Sequence, residues 1–220
     1  MQNINQTPPS FHNNNDGTIT DQITGLMWSK AVDTNKVSLI EAKKIVKKIK
    51  LGGYSDWRVP NIKELYSLIN FSRNTGFNKN KFSKKVPANA IPFINTDYFD
   101  FRYGDTSTGE RYIDAQWLSS TKYVSTTMNG DKTLFGVNFA DGRIKGYGYK
   151  RPRSSIEKKF YVRYVRGNSY GKNNFVNNHD RTITDKSTGL EWMQSDSSRR
   201  MNWQQALKYA NHLKYAGYND

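Results

Sequence analysis

The stretch Asp16-Gly-Thr-Ile-Thr-Asp-Gln-Ile-Thr-Gly-Leu-Met-Trp28 returns later in the chain as Asp180-Arg-Thr-Ile-Thr-Asp-Lys-Ser-Thr-Gly-Leu-Glu-Trp192. The match runs without a gap from residues 11–56 to residues 175–220, and about 18 of the 46 positions are identical. Shared composition does not explain such an ordered match. The sequence therefore predicts two copies of one module, of which the second is partial.

A hairpin and a capped helix open the first copy. Residues 18–20 and 26–28 are predicted to be the two strands of the hairpin. Ser38 and Glu41 have the spacing of a capping box, in which each side chain accepts a hydrogen bond from the other residue's backbone, and apolar residues follow at helical intervals. Because glycine is common just past a helix end, Gly52-Gly53 is predicted to terminate this helix.

The rest of the first copy predicts one more helix and several strands. Asn61 and Glu64 form a second cap, for a helix that should end near Asn70. Residues 73–108 lack periodicity and predict a long loop. Strand patterns follow at residues 116–119, 133–139 and 159–165, with a turn at residues 140–143. This order predicts an α+β fold with two helices and a small antiparallel sheet.

The repeat also predicts the domain organisation. Residues 1–10 are a flexible lead-in, and residues 11–167 form one complete domain. Residues 168–174 are a linker, and residues 175–220 are the partial second copy, with the hairpin and first helix only. How that partial copy covers its apolar face stays open at this point.

The composition argues against several kinds of enzyme. Cysteine is absent, which excludes disulfides, thiolate metal sites and cysteine nucleophiles. The three histidines lack the spacing of a metal site or a catalytic triad, and the acids between residues 97 and 114 match no glycosidase pair. No apolar run is long enough to cross a bilayer, and no signal peptide is recognisable. We therefore expect a non-enzymatic protein without a cofactor, a metal ion or a membrane span.

The charge of the chain favours polyanionic partners. The formal net charge is +15, from 34 basic and 19 acidic side chains. Much of this surplus lies in residues 141–166, where arginine could contact sulfate or phosphate through two hydrogen bonds and lysine adds compact charge. The candidate binding residues are Arg143, Lys145, Tyr147, Tyr149, Lys150, Arg151, Arg153, Lys158 and Lys159. A/T-rich codon usage and an ordinary solvated face remain alternative explanations of the lysines.

Tryptophan and arginine positions divide between core and surface. Trp28, Trp57 and Trp192 are predicted to pack in a core rather than to stack on sugars, whereas the role of Trp117 stays open. Arg58 is predicted to pair with a buried carboxylate or a backbone carbonyl, and Asp56 is either its partner or a turn cap. At least one of Arg163 and Arg166 should face the interior or pair with an acid. Tyr147 and Tyr149, flanked by glycines, are predicted to be exposed rings.

Five ordered motifs carry a resemblance to a known family. They are Thr24-Gly-Leu-Met-Trp28, Gly53-Tyr-Ser-Asp-Trp-Arg-Val-Pro-Asn-Ile-Lys-Glu-Leu65, Trp117-Leu-Ser-Ser-Thr121, Gly136-Val-Asn-Phe-Ala-Asp-Gly142 and Tyr161-Val-Arg-Tyr-Val-Arg-Gly167. Together they resemble the Lcl C-terminal domain family of bacterial collagen-like adhesins. The resemblance implies a C-type-lectin-like fold with a small twisted sheet, attachment to sulfated glycosaminoglycans and an extracellular or cell-surface location. Tyr164 stands where related sequences often have a cysteine, and the calcium-binding triplets of true C-type lectins are absent.

Three functional hypotheses follow. The first is a secreted or surface adhesion module that binds sulfated or acidic polysaccharide through the basic segment. The second is nucleic-acid binding without sequence preference, which only the charge supports because no recognition motif is present. The third is a structural interaction module in a tandem array, which would form oligomers or pack against neighbouring domains.

Overall fold

The chain forms two compact units of mixed α+β structure. The computed structural model describes residues 10–33, 35–76, 85–127, 130–151 and 154–219. The N-terminal unit ends at Tyr170, and the C-terminal unit begins at Gly171. The described residues contain three α-helices and three small antiparallel sheets, which confirms the predicted α+β class. A C-type-lectin-like arrangement stays a prediction.

Two separate sheets lie in the N-terminal unit, where a single sheet is predicted. The strands are β1 (Phe11–Asn13), β2 (Thr18–Asp21), β3 (Met27–Ser29), β4 (Gln116–Thr127), β5 (Asp131–Asn138), β6 (Arg143–Gly148) and β7 (Val165–Arg166). One sheet has the order β1-β2-β3-β7, and the other has the order β4-β5-β6. The predicted hairpin is confirmed as β2 and β3, and the short strand β7 pairs with β3 from the far end of the unit.

Both capping boxes are present at the helix starts. Helix α1 spans Leu39–Val46 and helix α2 spans Ile62–Ser67, with Ser38 and Asn61 as their N-caps. However, α1 ends well before Gly52-Gly53, so the predicted end is wrong. The glycines instead form a turn with positive φ angles, closed by reciprocal backbone hydrogen bonds between Leu51 and Tyr54. Helix α2 likewise stops three residues before the predicted end at Asn70.

The strand predictions for the second half of the N-terminal unit are only partly correct. Strand β6 is missed, because its glycines and exposed cations hide the alternation. The predicted strand at residues 159–165 is wrong, since only Val165 of that stretch lies in a named strand. Residues 160–165 change partners instead: Phe160 bridges Val37, Tyr161 bridges Trp117, and the Tyr164 carbonyl accepts from Ser29. This segment therefore connects the two sheets.

Buried aromatic rings dominate the core of the N-terminal unit. Trp28 and Trp57 are buried, which confirms their predicted structural roles, and Trp117, whose role the sequence left open, is buried as well. The rings of Phe139 and Tyr161 contact Trp117 with centroids at 5.6 Å and 5.5 Å. Large rings thus supply the apolar area that the low aliphatic content of the chain does not.

Gly136 is the most closely packed of the described glycines in the β4-β5-β6 sheet. A Cβ atom there would lie 2.5 Å from the Trp117 carbonyl oxygen and 3.1 Å from the Tyr147 ring. We expect Gly136→Ala to lower the free energy of unfolding by about 1–3 kcal/mol, because backbone would have to shift. The matched control is Gly148→Ala, whose nearest contact is an ordinary 3.4 Å. Urea denaturation of both variants checks this, and equal midpoints would contradict it.

Within residues 171–219, the C-terminal unit contains three strands and one helix. They are β8 (Phe175–Asn177), β9 (Thr182–Asp185), β10 (Leu190–Met193) and α3 (Trp203–Asn211), and the sheet order is β10-β9-β8. Asn202 and Gln205 form a capping box for α3. Trp192 does not pack in a core as predicted, because 54% of its surface is exposed. That this unit is a partial second copy stays a prediction.

Candidate functional site

Strand β6 forms the outer edge of its sheet and displays the first two candidate residues. Arg143 and Lys145 are exposed and lie opposite Asn138 and Gly136 of β5. The Arg143 guanidinium lies 3.2 Å from the carboxylate of Asp141, whose side chain is nearly buried. Burial raises the pKa of Asp141, and the positive charge of Arg143 only partly opposes this effect. The positive charge at this end of the basic segment is therefore partly balanced by Asp141.

Tyr147 is a core residue, so its predicted exposure is wrong. Only 9% of its surface is accessible, and its ring contacts Phe160 edge-on at 5.7 Å between centroids. Burial raises the pKa of its hydroxyl far above the ordinary value. The Lys158 ammonium lies 5.8 Å from the centre of the ring. Tyr147 therefore supports the candidate surface from beneath.

The next described candidates lie on two backbone arms, residues 149–151 and 154–158, which pair with each other and are called here the 149–158 hairpin. Its arms are held by hydrogen bonds from the Lys158 amide to the Tyr149 carbonyl (2.7 Å) and from the Arg151 amide to the Ile156 carbonyl (2.9 Å). Lys150 and Arg151 are exposed, whereas Tyr149 and Lys158 are half-buried. Arg153 lies outside the described residues. The described part of the hairpin thus places exposed and half-buried cations side by side.

Lys159 extends from the hairpin toward helix α1. Its ammonium lies 3.4 Å from the Glu41 carboxylate in an exposed ion pair. Glu41 also accepts a 2.7 Å hydrogen bond from the Ser38 amide, and this bond is the main reason that the pKa of Glu41 is lowered. An exposed pair of this kind contributes little to stability. Lys159 is therefore partly neutralised at the start of α1.

A cavity of about 210 Å³ lies between the start of α1, the β-sheet and the hairpin. Leu39, Leu134 and Phe160 supply apolar walls, and Tyr149 adds a half-buried ring. The charged residues that line the cavity are Lys43, Lys122, Lys158 and Glu157. Within the described part of the chain, none of these three lysines forms an ion pair. The cavity therefore combines an apolar surface with a surplus of positive charge.

Two of the cavity lysines are absent from the sequence-based candidates. Lys43 lies on α1 among several exposed lysines, and nothing in the helical pattern distinguishes it from its neighbours. Lys122 lies on β4, beyond the predicted strand end at Ser119. Extending the strand pattern through the threonines after Ser119 could have placed Lys122 on the sheet. The cavity brings these two residues together with Tyr149 and Lys158.

The arginines of the last motif are structural. Arg163 is fully buried, and the Arg166 Nε donates a 2.7 Å hydrogen bond to Asp56. This confirms that at least one of the two faces the interior or pairs with an acid. Arg58 does pair with a buried carboxylate, but the partner is Glu64 rather than Asp56. These side chains are therefore not part of the candidate surface.

Among the described residues, no three or more histidine, cysteine, aspartate or glutamate side chains lie together in a group that could hold a metal ion. Among the same residues, no helix is both long and apolar enough to cross a membrane. The candidate site is thus a basic surface with an apolar cavity on an α+β scaffold.

The chain belongs to the Lcl C-terminal domain family, whose model matches residues 17–166. This is an adhesin-type domain family rather than a known enzyme family. The match covers both helices and every named strand of the N-terminal unit except β1. Searches of curated proteins and of solved structures gave no match.

Proposed function

We propose that this protein is a non-enzymatic adhesion module of the cell surface or extracellular space that binds sulfated or otherwise acidic glycans. The observation that carries the proposal is the cavity beside the 149–158 hairpin. Three lysines, a tyrosine ring and apolar side chains line this cavity together. Membership of an adhesin-type family supports the surface location.

The cavity suits one unit of an acidic polysaccharide. Apolar walls and the Tyr149 ring can contact the C–H groups of a sugar, while ammonium groups contact sulfate or carboxylate. Its volume of about 210 Å³ lies below the range of about 300–1,000 Å³ that is usual for drug-sized ligands. The rest of the polymer would therefore run over the surface, where Lys150, Arg151 and Lys145 are exposed.

The start of helix α1, which lines the cavity, also favours a negatively charged ligand. Ser38, the N-cap of the helix, lines the cavity together with Leu39 and Ile40. The N-terminus of a helix carries partial positive charge, which adds to that of the lysines. Glu157 is the one carboxylate among the described lining residues and reduces the surplus without cancelling it.

The test is heparin affinity of a double variant, Lys122→Ala with Lys158→Ala. We expect affinity to fall about tenfold, because each exposed ammonium–sulfate contact contributes on the order of 0.5–1 kcal/mol. The matched control is Lys47→Ala with Lys48→Ala, which removes the same charge from exposed positions just after α1. Both variants are compared by salt elution and by binding to duplex DNA.

If the two double variants elute at the same salt concentration, binding depends on net charge alone and the cavity is not the site. If duplex DNA competes as well as a sulfated polysaccharide of matched charge density, the glycan proposal fails in favour of nonspecific polyanion binding.

A further inference from the structure

Strand β6 is the outer strand of the β4-β5-β6 sheet in the N-terminal unit. One of its sides pairs with β5 along the whole length of the strand. Among the described residues, no strand pairs with its other side, and no loop backbone forms a hydrogen bond with Ile144 or Gly146. Residues 143–146 are all exposed. This side of β6 is therefore a free sheet edge within the described part of the chain.

The backbone groups that β6 directs outward follow from its register. The Tyr149 amide donates a 2.9 Å hydrogen bond to the carbonyl of Lys132 on β5. Neighbouring residues of an antiparallel strand direct their backbone groups to opposite sides, so Lys145, an even number of residues away, also faces β5. The N–H and C=O groups of Ile144 and Gly146 therefore face away from β5. Unpaired groups of this kind form a template for an added strand.

Cations line one face of the β6 edge. Side chains alternate along a strand, so Arg143 and Lys145 share a face. Arg143 is partly balanced by the nearly buried Asp141 carboxylate at 3.2 Å, whereas Lys145 forms no ion pair with any described residue. A strand added beside β6 would place every second side chain next to these cations. Opposite charges across a strand pair are stabilising, so those side chains should be acidic.

Apolar groups line the opposite face of the same edge. Ile144 lies there and is 44% exposed. Gly146 pairs with Phe135 of β5, whose half-buried ring contacts Tyr123 edge-on with centroids 6.1 Å apart. Glycine inside a strand often marks a place where another backbone approaches closely. The side chains that an added strand directs to this face should therefore be apolar.

The same charges disfavour a second copy of this chain as the added strand. In antiparallel pairing of β6 with itself, the outward-facing residues of one copy lie opposite those of the other. Arg143 and Lys145 of both copies would then share one face of the joined sheet. Like charges across a strand pair are destabilising, and lysine at a sheet edge is a known means of preventing self-pairing. Charge therefore selects a partner of opposite sign.

We propose that the free edge of β6 binds an extended acidic segment of a partner protein by strand addition. The segment alternates acidic residues, which lie beside Arg143 and Lys145, with apolar residues, which lie beside Ile144 and Gly146. Main-chain hydrogen bonds supply affinity, and the alternating side chains supply specificity. The inference does not rest on the glycan proposal, because none of the three cavity lysines lies on β6.

The test adds the capped synthetic peptide Thr-Glu-Val-Glu-Phe-Glu-Val-Thr to the full chain. Amide hydrogen exchange, read residue by residue by NMR, should slow at Ile144 and Gly146, whose N–H groups face outward. It should change little at Lys145 and Tyr147, whose N–H groups already face β5. Unchanged exchange at Ile144 and Gly146 would overturn the proposal, and so would slowing at residues 122–127 of β4 instead.

Two modified peptides separate strand addition from simple charge attraction. In the proposed register, the apolar residues of the peptide lie opposite Ile144 and Gly146, so their N–H groups point at β6. N-methylation of the valine and phenylalanine nitrogens should therefore abolish binding, whereas N-methylation of the glutamate nitrogens should leave it largely intact. Equal binding of the two peptides would mean that charge alone holds them, and it would overturn strand addition.

A charge exchange tests the chemistry of the partner. Lys145→Glu should weaken binding of the unmodified peptide about fivefold, because like charges then lie side by side. The matched control, Lys47→Glu, makes the same change at an exposed position just after α1 and should leave binding unchanged. A peptide with lysine in place of glutamate should prefer the Lys145→Glu variant to the parent chain. Equal affinities in all these combinations would overturn the acidic partner.

Two further outcomes would identify a different occupant or a different site. The cavity variant, Lys122→Ala with Lys158→Ala, should bind the peptide as the parent chain does. Loss of binding there would show that the peptide occupies the cavity, and it would overturn the β6 site without deciding the glycan proposal. Dimerisation of the chain alone, with slow exchange at Ile144 and Gly146, would overturn the acidic partner in favour of a second copy.

Discussion

Replacing Arg163 with methionine is expected to lower the free energy of unfolding by about 3–5 kcal/mol, because the guanidinium is buried and hydrogen-bonded to three carbonyl groups. Its Nη1 donates to the carbonyls of Ser29 (2.5 Å) and Lys30 (2.7 Å), and its Nη2 donates to that of Asp100 (2.6 Å). Methionine would leave these buried acceptors without their donor.

Aromatic rings also hold the Arg163 guanidinium. Its central carbon lies 4.8 Å from the centre of the Phe99 ring and 5.0 Å from that of Trp117. Burial lowers the pKa of Arg163 to about 9, so the group stays charged at neutral pH. Stacking on two rings and three carbonyl contacts offset the cost of burying that charge. Arg163 therefore links three parts of the N-terminal unit. They are the end of β3, the loop that contains Asp100, and the segment of residues 160–165 that connects the two sheets.

Urea denaturation measures the effect, with Arg151→Met as the matched control at an exposed position. The control should change stability by less than about 0.5 kcal/mol. Arg163→Lys separates charge from geometry, since one ammonium cannot reach three acceptors arranged for a planar fork. If Arg163→Met lowers the free energy of unfolding by less than about 1 kcal/mol, the buried guanidinium is not a main source of stability.

The second large effect is expected for Arg58→Ala, at about 3–5 kcal/mol, because it leaves the buried Glu64 carboxylate without its counter-charge. The two side chains form paired 2.7 Å hydrogen bonds, and the Glu64 side chain is fully buried. Glu64 also accepts from the amides of Asn61 (2.8 Å) and Tyr170 (3.0 Å). Arg111→Ala, which breaks an exposed ion pair with Asp114, should cost less than about 1 kcal/mol.

This pair also predicts a pH dependence. Burial acts to raise the pKa of Glu64, but the hydrogen bonds from Arg58, Asn61 and Tyr170 outweigh it, so the pKa is lowered below the ordinary value of 4.5. The stabilisation is therefore present above pH 4.5 and is lost as the pH falls through the lowered pKa. Thermal unfolding between pH 3 and pH 7 should show a shallower acid decline in Glu64→Gln. An unchanged slope would contradict this assignment.

Local signals explain what the sequence predicts well. Both capping boxes and the first hairpin depend on residues only a few positions apart, and all three are found where expected. The partner of Arg58 is harder to predict from residues close in sequence. Asp56 is closer in sequence, but the turn of α2 brings Glu64 under the guanidinium instead.

The candidate site depends on contacts that the sequence does not encode locally. Lys43, Lys122 and Lys158 lie far apart in the chain, and only the packing of α1 against the sheet brings them to one cavity. Tyr147 is misread because flanking glycines suggest exposure, whereas its register opposite Leu134 directs the ring inward. Strand order, which decides both cases, has no signal within a short window of sequence.

The strand order of the first sheet has a mechanical consequence for the proposed adhesion module. The N-terminal unit begins with β1 and ends just after β7, and these strands lie at opposite edges of one sheet. Tension between the two ends must therefore cross every strand pairing of that sheet. The shortest pairing, between β3 and β7, is reinforced on the other side of Val165, which exchanges hydrogen bonds of 2.8 Å and 3.0 Å with the Arg58 backbone. The backbone contacts of Val165 therefore also determine how much pulling force the N-terminal unit withstands.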